Sequence, residues 1–167
     1  MAEISSPARV GGGYIDYTDN GYPLGNYLTL LAGQTVQLTR DLQPNPTRTR
    51  LNPPWSNFEF WDNTAKLIKA RAQHDTFDVS AAVRIVSDKI GGVLRVQFMT
   101  ADNAFIIAAE SLALTSNVGE EEGLTTGSKI AVGTRLAAVG AKIMLTCTVN
   151  ATLREFSPIF YPTGYDA

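Results

Sequence analysis

Apolar and polar residues alternate through most of the chain from Thr76 to Tyr161, whereas Ser6 to Ser56 is Gly, Pro, Tyr and Thr with little periodicity. A period of two marks strands buried on one side, because successive side chains point to opposite faces. Phe77, Val79, Ala81, Val83 and Ile85 fall on one face, with Asp78, Ser80, Ala82 and Arg84 on the other. Leu94, Val96 and Phe98 then alternate with Arg95 and Gln97, and the Gly91-Gly92 pair suits the tight connection of a hairpin. Ile143, Leu145, Cys147 and Val149 form a second strong alternating face.

Weaker signals fill the remainder. Phe105 to Leu114 reads as a strand exposed to little water on either face, with a helix as the alternative, since short apolar runs carry no decisive period. Asn117 to Ser128, with Gly119, Gly123, Gly127 and Glu120-Glu121-Glu122, predicts an exposed acidic loop. Strands are expected over Ile130–Ala138, Ala141–Asn150 and Leu153–Tyr161, with Gly140 as a turn. Pro158 and Pro162 suit an edge or a strand end, because proline donates no ladder hydrogen bond. Phe58 to Trp61 and Ala65 to Ala70 flank the Asp62-Asn63 turn signal. About eight strands at spacings of roughly 8 to 15 residues, without a repeat or a long helical pattern, predict a sandwich or barrel.

The first third reads differently. Gly11-Gly12-Gly13, Gly21, Gly25 and Gly33 are interleaved with Tyr14, Tyr17, Tyr22 and Tyr27. Tyrosine offers a large apolar body with a polar tip, so these side chains are expected either to dock on a neighbouring molecule or to fold back on their own domain. Thr35 to Thr39 alternates as one short strand. Pro44, Pro46, Pro53 and Pro54 make Asp41 to Trp55 a stiff loop, and Arg48 and Arg50 make it locally basic, a solvated loop or a docking segment for an acidic surface. The resulting division is an extended arm over residues 1–56, with one short strand and a Pro-rich loop, and a β-sandwich over residues 57–167. Fully stretched, about fifty residues reach on the order of 150 Å. Ordering such an arm costs entropy that only an extensive contact surface offsets.

Composition narrows the partners. A chain of 167 residues with formal net charge −2 is large enough for one core and carries no field suited to a polyanion, so nucleic acid is not the expected partner. The initial residues lack the apolar stretch of a signal peptide and no apolar run approaches a membrane span, which predicts a soluble protein made in a cytoplasm with no membrane partner. A single cysteine, Cys147, among inward-facing apolar residues predicts a buried core position.

No motif states a chemical activity. His74, the only histidine, is not tied by any motif to a nucleophile and reads as a turn or surface residue. Asp16, Asp19, Asp78 and Glu120 to Glu122 are the acids available for hydrolysis, and none has an identifiable partner. Asp16 to Gly21 opens like a calcium loop but carries Tyr27 where a bidentate glutamate would complete the shell. No catalytic residue, metal or cofactor is expected, and the chain is not expected to be an enzyme. Trp55 and Trp61 read as core or arm packing, with sugar stacking as the sharper alternative.

The strand series from Phe58 to Tyr161, with Gly140 between two apolar strands and the closing Phe156-Ser157-Pro158-Ile159-Phe160-Tyr161, resembles the small jelly-roll decoration, or cement, proteins of tailed-bacteriophage capsids. More distantly it is similar to trimeric tumour-necrosis-factor-like sandwiches. The resemblance implies an all-β, jelly-roll-like β-sandwich with an extended N-terminal arm, synthesised in the host cytoplasm and carried on the capsid surface of the virion. It also implies a homo-oligomer, a trimer by preference, that clamps a major capsid protein or another virion protein. Tyr14, Tyr17, Tyr22, Tyr27, Arg48, Arg50 and Trp55 are the expected partner-binding residues of the arm. The other function considered is a carbohydrate- or receptor-binding β-sandwich of a phage tail or fibre, with Trp and Tyr as stacking platforms.

Overall fold

The computed structural model describes residues 13–165. Two antiparallel sheets pack face to face. Their strands in chain order are β1 (Tyr14–Asp16), β2 (Leu28–Leu30), β3 (Thr35–Gln37), β4 (Thr47–Thr49), β5 (Trp61–Asp62), β6 (Leu67–Ile68), β7 (Thr76–Ser87), β8 (Val93–Thr100), β9 (Ile106–Ala113), β10 (Glu121–Ala131), β11 (Ala141–Cys147) and β12 (Ala151–Gly164). A short helix α1 (Thr134–Val139) precedes β11. The first sheet runs β10-β7-β12-β1-β4 with β2 also on β12; the second runs β5-β6-β11-β8-β9 with β3 also on β11.

The alternation written in the sequence fills the space between the sheets. Phe77, Val79, Ala81, Val83 and Ile85 of β7, with Leu153, Phe156 and Phe160 of β12, face Leu94, Val96 and Phe98 of β8 and Ile143, Leu145 and Cys147 of β11, and all are buried. Each large side chain withdrawn from water contributes about 1.5–3 kcal/mol, the dominant favourable term in a fold without a disulfide. Gly140, expected at a turn, adopts φ 74° where an added Cβ would lie 2.9 Å from the Ile68 carbonyl, so both the backbone and the space require glycine.

The expected arm is corrected by the packing of its described part, while the expectation for residues 1–12 falls outside the described residues. β1 pairs with β12 and β4, β2 pairs with β12, and β3 pairs with β11, so residues 14–49 contribute strands to both sheets instead of reaching outward. Ile15, Tyr17, Leu30, Leu38, Leu42 and Trp55 lie in the same core as the sandwich proper. The physical cause is burial. These widely spaced apolar side chains find a half-built core to cover, and three-residue strands suffice once a long strand supplies the ladder.

Other expectations are also revised. The acidic loop is instead the start of β10, paired along its length with β7 from Glu121↔Val86 to Ala131↔Thr76. Its outward Glu121 is held by two arginines, Arg84 at 3.1 Å and Arg154 at 3.3 Å. The strand expected over Ile130–Ala138 ends at Ala131 and gives way to α1. β9 lies at the end of its sheet order, with Phe105 and Ile106 more than half exposed, so that run is not shielded on both faces. Its partner across the gap is β10, where Glu110 of β9 accepts from the Gly127 amide at 2.6 Å and from the Thr126 hydroxyl.

Pro158 sits inside β12, buried, opposite Ala81, not at an edge. Its carbonyl accepts the Tyr17 amide at 3.0 Å. A strand residue directs its carbonyl and amide to the same side, so the missing N–H faces the β1 side and leaves the long ladder with β7 intact.

Candidate functional site

The seven residues expected to contact a partner separate into two groups. Tyr17 and Trp55 are buried and belong to the core. The Tyr17 hydroxyl donates to Glu59 Oε2 at 3.0 Å and accepts the Phe60 amide at 2.9 Å. Its ring meets Phe160 edge-on at 5.7 Å, while Phe60 stacks between Phe160 at 4.7 Å and Trp55 at 5.4 Å. Burial and the neighbouring Glu59 carboxylate push the Tyr17 phenol well above the ordinary tyrosine range. A group so enclosed stiffens the body and cannot meet another molecule.

Arg48 also faces its own chain. It donates to the Phe58 carbonyl at 2.9 Å, pairs with Glu59 and so completes a chain of contacts from β4 to Tyr17. Arg50 is exposed at a left-handed turn, φ 51°. Tyr14 is half-buried and lies 5.9 Å from Tyr161, ring to ring.

Tyr22 and Tyr27 occupy the segment between β1 and β2, which includes a 3-10 turn at Tyr22–Leu24. Arg84 lies over the Tyr22 ring at 5.6 Å and Arg154 over Tyr27 at 5.1 Å, placing this segment across the outer side of the first sheet. Here the alternative of folding back describes the chain. The segment nevertheless presents apolar groups to water, Leu24 82% exposed and Tyr27 41%, and Leu31, just past β2, is 48% exposed. Beside it Asn20, Leu28, Arg40 and Asp41 help line a cleft of about 230 Å³. Leu24 and Leu31 were not singled out from the sequence; a leucine beside Pro23-Gly25, where no strand buries it, is the signal that marks Leu24.

The residues available for chemistry stay apart. His74 is exposed at a turn with φ 69°. Cys147 is buried, and burial pushes its thiol above the usual range. Among the described residues no group of three His, Cys, Asp or Glu is placed to hold a metal ion. No described helix is long and apolar enough to cross a membrane.

No protein-family model matches the sequence, and neither does any curated protein. Solved structures with a similar fold include the PRD1 vertex protein P5, 10% identical with a TM-score of 0.51 over 95% of this chain and 100% of that one. They also include Eiger TNF from S. frugiperda, 11% identical with a TM-score of 0.48 over 96% of each chain. A carbohydrate-binding module of Cellvibrio mixtus lichenase 5A is 12% identical with a TM-score of 0.38, over 84% of this chain and 98% of the module. The likeness to P5 is one of fold, and the chain is an all-β jelly-roll sandwich.

Proposed function

We propose that this protein is a non-enzymatic structural component of a phage virion, held on the capsid exterior against a capsid protein or another virion protein. The single observation that carries the reading is the jelly-roll sandwich shared with the PRD1 vertex protein P5 across 95% of the chain. The contact surface is the projection at Leu24 and Tyr27, with Leu31 just past β2, not a free arm, because exposed apolar side chains favour association. Decoration of the capsid as a homotrimer is the finer form of the same reading and rests on the family resemblance. The enclosed thiol of Cys147 and the isolated turn position of His74 fit a protein that acts through contacts.

Mass spectrometry of purified particles assembled from the encoding genome tests this. The protein is expected in the particles, and a Leu24→Asp, Leu31→Asp variant is expected to fold yet be lost from them. Absence of the unaltered protein from the particles overturns the reading. Light scattering of the purified protein reports the trimer.

A second reading, recognition of a saccharide, is favoured by a separate feature of the outer sheet face.

A further inference from the structure

Lys129 of β10, Asp78 of β7 and Tyr161 of β12 are successive cross-strand neighbours on the outer face of the first sheet. The next row toward the middle of the sheet is Gly127 beside Ser80. Together they line a shallow, open depression of about 510 Å³. An added Cβ at Gly127 would meet nothing within 4 Å, so the lack of a side chain there opens the floor. Tyr161 stands at the wall, 36% exposed, and is braced from behind by Tyr14, whose ring is tilted 48° to it.

Asp78 is the unusual member. Its Oδ1 is buried and has no hydrogen-bond partner among the described residues. An unpaired buried oxygen is costly and calls for a donor that the described side chains do not supply. Although Lys129 lies opposite in register, no ion pair joins the two among the described residues. A carboxylate and an ammonium held side by side but unpaired accept and donate hydrogen bonds with little net charge.

We infer that this depression is a binding site for a neutral hexopyranose unit of an oligosaccharide. A phosphate or sulfate ester would be repelled by Asp78, and an amine by Lys129. A neutral sugar ring meets all three groups at once: vicinal hydroxyls donate to Asp78, a hydroxyl or ring oxygen accepts from Lys129, and the C–H face lies on the Tyr161 ring. Ser80 and the open position at Gly127 admit the ring close to the sheet. The site stands independently of the capsid reading, because it uses neither the Leu24 projection nor any oligomer contact.

The experiment is an NMR titration of the ¹⁵N-labelled full chain with maltotriose, cellotriose and chitotriose separately, and with inorganic phosphate as the anionic control. At least one trisaccharide is expected to shift the amides of Ser80, Gly127, Lys129 and Tyr161, with a dissociation constant on the order of 1 mM, while phosphate does not. Asp78→Asn and Tyr161→Ala are each expected to weaken binding at least about tenfold, and Tyr161→Phe, which keeps the stacking face, to hold it within about threefold. Thermal unfolding checks each variant; if Tyr161→Ala fails to fold, Asp78→Asn and Lys129→Ala decide. The inference is overturned if none of the three sugars moves these amides at roughly 20 mM, well above that constant, or if Asp78→Asn binds like the unaltered protein.

Discussion

The Nε atom of Arg40 lies 3.2 Å from Oδ2 of Asp19, and the two side chains are 5% and 0% exposed. Both serve the edge of β12 in the break between β2 and β1. Asp19 accepts the Phe156 amide at 2.9 Å and the Gly21 amide at 2.8 Å, while Arg40 donates to the carbonyls of Leu153 at 3.1 Å and Arg154 at 2.7 Å. The pair replaces the strand that is missing there, beside the register shift between Leu153 and Glu155. Burial pushes the Asp19 carboxyl up, opposed by the Phe156 amide and by Arg40.

Removing one member of a buried pair leaves the other charge uncompensated. Asp19→Ala is therefore expected to destabilise the fold by about 3–5 kcal/mol in urea unfolding, and the double variant with Arg40→Met by less than the sum of the two singles. A loss below about 1 kcal/mol would mean that the segment from Thr18 to Leu42 is not welded to β12.

The Tyr17 hydroxyl both donates and accepts inside the core, so Tyr17→Phe strands the Phe60 amide and is expected to cost about 1–3 kcal/mol. Its raised pKa means that the folded state keeps the proton when the unfolded state releases it. This contribution is intact below the ordinary tyrosine value of 10.0 and is lost progressively as pH rises above it. Absorbance titration should show one phenol that ionises only with unfolding; its appearance near pH 10 in the folded protein would contradict the enclosure.

Asp102, in the turn after β8, is held down to about 2 by the Thr100 hydroxyl first and then by Arg135 of α1. A depressed carboxyl favours the folded state above its ordinary value of 3.8, and that preference disappears as pH falls through about 2. Carboxyl ¹³C titration should find this midpoint, and Arg135→Ala should move it upward. An unchanged midpoint would remove α1 from the account.

Cys147 should resist aromatic disulfide reagents until the protein unfolds, because it is buried and its thiolate is disfavoured. Cys147→Ser places a hydroxyl among apolar neighbours and is expected to cost about 1–3 kcal/mol, measured by thermal or urea unfolding. Rapid labelling under native conditions would refute the packing of β11 against the first sheet.

The long strands were legible because each carries its own alternation. Phe77 to Ile85 and Ile143 to Cys147 bury the face that the period of two selects. β10 has the same period, with Leu124, Thr126 and Ile130 turned inward, but threonine and glycine carry too little hydrophobic contrast to reveal it beside three glutamates. The N-terminal strands were illegible for another reason. Three residues cannot display a period, and their partners are remote: the Asp19 amide donates to Ser157, 138 residues away. Of the tyrosines at positions 14, 17, 22 and 27, Tyr17 lies in the core and Tyr22 and Tyr27 lie against the first sheet, because composition does not distinguish another molecule's surface from the chain's own. Likewise the depression by Tyr161 depends on three strands whose register no local pattern states.

β12 has a consequence for synthesis. Tyr14–Asp16 and Leu28–Leu30 both pair with strand residues at Ala151–Gly164, as does the long strand Thr76–Ser87. A ribosome emits these early segments long before their partner leaves the exit tunnel, so Ile15, Leu30 and the apolar face of β7 wait uncovered through most of translation. The closing event is late and all at once, and a nascent chain stopped short of Ala151 would expose the edges of β1, β2 and β7 together, an invitation to a chaperone or to aggregation.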